Sequence, residues 1–524
     1  MLTKNFIELV DRLLVMEAGS RPLEDGFNGM NREGNKRQIL ESTDKIDRLS
    51  LLPDAILVDI LSVIPIESAA ATSILSRRWQ YLWTQVTHLV FDLYHLQSSI
   101  GCYNWTEPFF RIVDHILLQL TASKIHSFCL KFPYGSTFTN DMQESYGDSF
   151  ESWMSTICGR HPQRIEVTAS FGSYIPLPIC VFECRSVVEL TLRGALVIAV
   201  PDCAPVCLPN LKKFSCHLDV LAIDLLTRLF KSSLLLEELT ITGHYIEGVC
   251  CFDLSALNLK RLVVEIVEET LKGIKFVINL AKLEIISLKA LTVDSVHFVE
   301  HSSALNSAEI CIESGLFGED DYVRNTVELA KLISNVKSLC LNISTISALN
   351  DLDGDNPQPP LENLTDLSIK SGMVNADNGS WNDVLLFLRC SPNLQALDIA
   401  FETHTDMITW ALPPDFAPPL CLTRLKRIKI KDLRVDEDDD IKMMAYILSN
   451  SVALEVLSVY VSVTTTMDGM WDEYKLCETL FHLDRSSLTC EIQFFGQHIT
   501  SSSKGFNNTI PHCQIFRLVN LVIS

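Results

Sequence analysis

The feature that most constrains this 524-residue chain is an apolar triad, L-x-x-L-x-[IL], that returns at a nearly constant interval. With other apolar residues admitted, its first positions are Val187, Leu211, Leu236, Leu259, Leu283, Leu305, Val336, Leu364, Leu394, Leu425 and Leu454. The steps between them are 24, 25, 23, 24, 22, 31, 28, 30, 31 and 29 residues. The clearest copies read "LEELTI", "LKRLVV", "LTDLSI", "LQALDI", "LKRIKI" and "LEVLSV". One short alternating strand per copy cannot bury its apolar side alone, so each copy must stack on its neighbours. The pattern predicts an α/β protein: a leucine-rich-repeat solenoid of parallel strands with helical or loop returns.

The returns carry signals of their own. "WNDVLLFLRCSPN" and "DIKMMAYILSNSV" are long enough for helices, whereas repeats of 22 to 25 residues leave room only for a shorter helix or a loop. Prolines gather just before strands, at Pro209, Pro359, Pro360, Pro392, Pro418 and Pro419, where no ladder N–H is needed. "IHSFCL" at 125 and "RIEVTA" at 164 look like degenerate first copies, so the array is expected to begin near "THLVFD".

Composition narrows the partners. The chain is 47% hydrophobic and 21% charged, which fits a globular protein with a large core. A net charge of -22 argues against nucleic acid or anionic lipid as the main partner, because both need basic footprints. Glu8, Asp11 and Arg12 interrupt what would be the apolar part of a leader, and no window reaches the ~18 apolar residues of a membrane span. The expectation is a soluble protein, cytoplasmic and/or nuclear, with no membrane and no nucleic-acid partner. Its 17 cysteines then read as reduced, mostly buried residues.

Residues 50 to 83, "SLLPDAILVDILSVIPIESAAATSILSRRWQYLW", form a small unit of their own. Ser50 suits a helix cap, Pro53 a first turn, and Ile56, Leu57, Ile60 and Leu61 follow at helical spacing. Pro65 stops that helix, "ESAAATSIL" supplies a second run, and "SRRWQYLW" a third with Trp79 and Trp83 four apart. So small a unit cannot enclose this many large apolar side chains, and some must face a partner.

These residues resemble the F-box of plant F-box proteins with leucine-rich repeats. Leu52-Pro53-Asp54, Ile56-Leu57, Ile60-Leu61, Leu75-Ser76, Arg77, Trp79 and Trp83 stand in register with it, while Ala55 replaces the usual acid and "PIES" the usual "PTK"-like turn. The resemblance implies docking on a Skp-type adaptor, and through it a cullin-RING ubiquitin ligase, with the repeats holding an unknown target protein. Leu52, Pro53, Ile56, Leu57, Ile60, Leu61, Leu75, Trp79 and Trp83 are the expected adaptor-binding residues. "LTRLKRIKIKDLRVDEDDDIKMMAYILSNSVALEVLSVYV" with "RSSLTCEIQFF" resembles the FBD region that follows the repeats in many such proteins. The expected organisation is a flexible extension over 1-45, a three-helix F-box over 46-90, the solenoid over 91-420, FBD-like repeats over 421-500 and an unassigned tail over 501-524.

Other signals bear on chemistry. Cys180/Cys184 and Cys203/Cys207 form two C-x3-C pairs, looser than zinc-ribbon knuckles, and "DLDGDNPQPPLE" from Asp351 lacks the turn glycine of a calcium loop. "DEDDD" at 436 to 440 reads as a solvated helix start. No nucleophile elbow, zinc-protease, P-loop or dinucleotide pattern is present. The expectation is a non-catalytic receptor subunit with no cofactor and no metal. In "LTRLKRIKIKDLR", alternation puts Arg427, Lys429 and Lys431 on one side of a strand, a candidate target-binding surface for an acidic or phosphorylated peptide or an anionic small molecule such as an inositol phosphate. The competing reading is a non-degradative scaffold or small-molecule sensor that uses the F-box only for assembly.

Overall fold

The computed structural model describes residues 49, 51–92, 106–132, 140–169, 175–198, 205–247, 251–255, 257–266, 274–290, 293–300, 304–312, 322–352, 359–370, 381–400, 418–433, 438–461 and 469–504. It divides into two compact units, Met1–Leu211 and Lys212–Ser524. The proposed cap Ser50, the extension 1-45, Cys203 and most of the tail lie outside the described residues.

The first unit opens with two short α-helices, Asp54–Leu61 and Ile66–Ala71, each entered through a proline, Pro53 and Pro65. The second expected run ends in a 3-10 segment, Thr72–Ile74, and the third expected helix is itself a 3-10 segment, Trp79–Gln85. Local bonding accounts for the tighter winding: the Trp83 indole N–H donates to the Gln80 carbonyl at 3.2 Å and the Thr84 hydroxyl to the Tyr81 carbonyl at 2.8 Å. Both reach three residues back, the spacing at which a 3-10 helix stacks side chains.

Four parallel strands follow, His88–Asp92, Ser127–Lys131, Arg164–Ala169 and Glu189–Gly194. Leu89, Phe128, Ile165 and Leu190 are register partners across them, all at most 1% exposed. "THLVFD", "IHSFCL" and "RIEVTA" are therefore strands, as their degenerate repeat pattern predicts. Helices Thr106–Gln119 and Asn140–Cys158 return the chain between the first three strands.

The second unit is a longer run of the same construction. Its parallel strands begin at Lys213–Ala222 and continue through Glu238–Glu247, Arg261–Ile266, Ile285–Ala290, Ser307–Ile312, Ser338–Asn342, Asp366–Lys370, Ala396–Ala400, Arg427–Leu433, Val456–Val461 and Glu491–Phe495. The middle positions of the triads, Phe214, Leu239, Leu262, Ile286, Ala308, Leu339, Leu367, Leu397, Ile428 and Leu457, form one continuous ladder of register partners. None exceeds 3% exposure. This is the α/β leucine-rich-repeat construction that the period predicts, built by nearest-neighbour burial.

The short returns differ from expectation. Cys251–Leu254, Ile274–Asn279 and Val293–Glu300 are strands, and they pair in parallel with one another as a second, three-stranded sheet. A strand advances about 3.3 Å per residue against 1.5 Å in a helix, so an extended return crosses the layer in few residues, whereas the repeat from Leu211 to Leu236 returns through the helix Ile223–Ser232, as its length allows. Where repeats lengthen, helices take over: Tyr322–Ile333, Ile343–Asn350, Trp381–Leu388 and Asp438–Asn450. The last of these is less solvated than "DEDDD" suggests, because Asp440 is buried and accepts from the Trp381 indole at 3.1 Å.

The end of the array is fastened by charge. Thr500–Lys504 folds back antiparallel on Glu491–Phe495. The buried Glu473 carboxylate, on helix Gly469–His482, accepts from the backbone N–H groups of Gln497, His498 and Ile499 at 2.9 to 3.1 Å. Buried Arg485 donates to the carbonyls of Cys490, Ser503 and Phe481 at 3.1 to 3.2 Å.

Candidate functional site

In the first unit, the nine expected docking residues divide. Leu57, Leu61, Trp79 and Trp83 are at most 6% exposed and form the interior of the helical segment. They are corrected from docking residues to core residues. Helical spacing selects two overlapping pairs, 56/60 and 57/61, and the indoles of the third segment cover the second pair's side. Pro53, Ile56, Ile60 and Leu75 are exposed and Leu52 half-buried. Around them the sequence reading missed Leu51 at 72%, Val63 at 81%, Ile74 at 60% and Tyr81 at 64% exposure. Arg78 holds these elements together: its Nε donates to Asp54 Oδ1 at 2.8 Å and its Nη2 to the Leu52 carbonyl. The N-terminus of the first helix is thereby tied to the segment bearing Trp79. What remains outside is an exposed apolar set over a core that is already buried without it.

In the second unit, alternation places Arg427, Lys429 and Lys431 on the open side of their strand, opposite buried Ile428 and Ile430. Asp432, at φ 57, ends the alternation at a register shift, so that Leu433 turns inward again. The cations do not stand alone. Arg427 lies 3.9 Å from Asp366, Lys431 lies 3.6 Å from Asp398, and the Lys429 ammonium sits 4.9 Å over the Tyr460 ring. Their neighbouring acids Asp366 and Asp398 lie on the two preceding strands. Arg427, Lys429, Asp366 and Asp398, together with Ser368, Ser458 and Gln493, line a groove of about 570 Å³ along the strands, and Lys431 stands outside that lining. The carboxylate oxygen Oδ1 of Asp398 is buried there without a hydrogen-bond partner. The surface is one of alternating charge and hydrogen-bonding groups, suited to a polar protein segment of mixed charge rather than to a compact polyanion.

The cysteines are free among the described residues. Cys180 and Cys184 gather on Cys158, whose hydrogen bond holds the Cys184 thiol down at about 6. For the calcium-like loop, residues 353 to 358 lie outside the described set; Asp351 accepts from the Tyr322 hydroxyl at 3.1 Å. No described helix is long and apolar enough to cross a membrane.

No family model matches the chain. It is similar over most of its length to plant proteins of the F-box/LRR-repeat and F-box/FBD/LRR-repeat kinds. F-box/LRR-repeat protein 13 of Arabidopsis thaliana is 28% identical over 443 residues, covering 82% of this chain and 93% of that protein. An FBD-associated F-box protein of the same plant is 26% identical over 472 residues, covering 88% and 99%. An F-box/FBD/LRR-repeat protein, also from Arabidopsis thaliana, is 26% identical over 423 residues, covering 79% and 89%. The resemblance read from the sequence thus covers most of the chain.

Proposed function

We propose that the chain is the substrate-recognition subunit of an SCF-type cullin-RING E3 ubiquitin ligase. Residues 46-90 dock on a Skp-type adaptor, and the open strand side of the repeats, including the groove beside Arg427, Lys429 and Lys431, holds a target protein. The observation that carries this reading is the exposed apolar set Leu51, Ile56, Ile60, Val63, Ile74, Leu75 and Tyr81 on a segment whose core is complete without it. The likeness to F-box/LRR-repeat proteins supports it. The subunit contributes no bond chemistry. Tethering a target lysine near a charged conjugating enzyme raises its effective concentration, so that transfer becomes intramolecular.

Co-purification tests this. Wild-type chain should carry both adaptor and cullin, whereas Ile56→Asp with Leu75→Asp should lose both with an unchanged melting temperature. Truncating a central interface anchor costs about 2 to 4 kcal/mol, roughly 30-fold or more in affinity, and a buried charge costs more. Retention of the adaptor by that variant would reject the docking surface. Adaptor without cullin would favour the non-degradative scaffold.

A further inference from the structure

Three ligating side chains meet on the open side of strands Ser307–Ile312 and Ser338–Asn342. The Glu309 carboxylate and the sulfurs of Cys311 and Cys340 each offer one atom, and these atoms all lie within 4.8 Å of one another. Strand register brings them together. Glu309 and Cys340 are register partners, with Cys340 Sγ 3.8 Å from Glu309 Oε1, and Cys311 stands two residues along from Glu309 on the same side. Cys311 is 4% exposed, and Glu309 and Cys340 are half-buried.

We propose that Glu309, Cys311 and Cys340 form a binding site for a thiophilic divalent cation, zinc in the first instance. Tetrahedral zinc with sulfur at about 2.3 Å and oxygen at about 2.0 to 2.2 Å needs ligand atoms about 3.5 to 3.8 Å apart, so the present spacing closes with small side-chain movements. Two thiolates select a soft cation over calcium or magnesium. A direct disulfide fits less well. Cys311 and Cys340 occupy diagonal positions: a two-residue step of about 6.6 Å along strands about 4.8 Å apart separates their backbones by about 8 Å. A disulfide spans less than about 7 Å.

The surroundings suit an anionic ligand set. Lys370 Nζ lies 2.9 Å and Lys289 Nζ 3.4 Å from Glu309 Oε1, while the Ser287 hydroxyl donates to Oε2 at 2.8 Å. One carboxylate and two thiolates carry three negative charges. A divalent cation removes two, Lys370 offsets the third, and Lys289 is shared with Glu265 at 3.9 Å, while both ammonium groups fix the orientation of the Glu309 carboxylate. Three protein ligands leave a fourth position for water or for a donor from a bound protein.

The site is tested on the full-length chain, reduced, loaded with zinc and dialysed into metal-free buffer. Metal analysis should find a bound equivalent that Cys311→Ser and Cys340→Ser each lose and that Cys184→Ser keeps. Ser287→Ala should weaken zinc binding about tenfold without removing a ligand. A second measurement needs no variant: zinc should protect Cys311 and Cys340 of the wild-type chain from alkylation, read peptide by peptide in a mass spectrometer. Equal alkylation of both cysteines with and without zinc overturns the proposal. So does zinc content that is unchanged in the two serine variants, or recovery of Cys311 and Cys340 as a disulfide from the untreated protein. None of these readouts depends on adaptor docking, so the site and the ligase reading stand or fall separately.

Discussion

Gly496 has no room for a side chain, because the Glu473 carboxylate occupies the place where its β-carbon would stand. The acid and the turn it grips are therefore one device. Gly496→Ala should displace the carboxylate from its three N–H donors, and Glu473→Gln should put an amide N–H against them. A hydrogen bond to a charged group contributes about 1.5 to 3 kcal/mol, and an unmatched buried donor costs about as much. Both variants should lower the unfolding free energy of the C-terminal region, read by chemical denaturation, by about that amount. Hydrogen exchange should show the loss first in residues 491 to 504.

The ladder of triad positions makes a different prediction. Leu239, Leu262, Leu367 and Leu397 are at most 2% exposed, so each replaced by Ala should cost about 2 to 5 kcal/mol. Neighbours share the loss in an array held repeat to repeat. Limited proteolysis of each variant should cut first beside the changed repeat. Uniform degradation in all four would contradict nearest-neighbour stabilisation.

His88 supplies a pH dependence. Burial, the His126 ring at 4.9 Å and the charge of Arg164 push its pKa below the ordinary value, against a smaller opposing effect of Asp59. The folded state therefore prefers the neutral ring. Its contribution is complete above the unfolded pKa of about 6.5 and is lost as pH falls through and below that value. The melting temperature of the wild-type chain should drop between about pH 6.5 and 5 more steeply than that of His88→Asn. Parallel curves would show that His88 takes no part.

Reversing Arg427, Lys429 and Lys431 to Glu should leave the fold intact, since each exposed ion pair with Asp366 or Asp398 contributes about 0 to 1 kcal/mol. If the groove holds the target, capture should fall and its dependence on salt should change, because exposed charges are screened within about 10 Å at 0.1 M. Unchanged capture at all salt concentrations would move the search to Glu238, Thr240 and Thr242 on an earlier strand.

The repeat core was legible because its period is a property of one dimension. Each first position from Val187 to Leu454 is buried to within 5%. The strand returns were not legible, since "CFDL" and "IKFVIN" alternate over too few residues to be told from loop or helix. Nor was the side of the first helix: Ile56 with Ile60 and Leu57 with Leu61 satisfy the same spacing, and only the placement of Trp79 and Trp83 decides between them. The cation positions were legible from alternation, but their partners Asp366 and Asp398 come from other repeats. Glu309, Cys311 and Cys340 belong to no motif. Only strand register makes Glu309 and Cys340 neighbours.

The reversed direction of Thr500–Lys504 sets how such an array can change length. A parallel edge accepts another repeat or another molecule's strand, because its hydrogen-bonding groups repeat the spacing of every strand before it. Here the strand next to Glu491–Phe495 runs the other way, so a further repeat of the same kind would meet a mismatched template. Insertion between existing copies meets no such mismatch, so the strand Thr500–Lys504 closes this edge to a repeat added beside it.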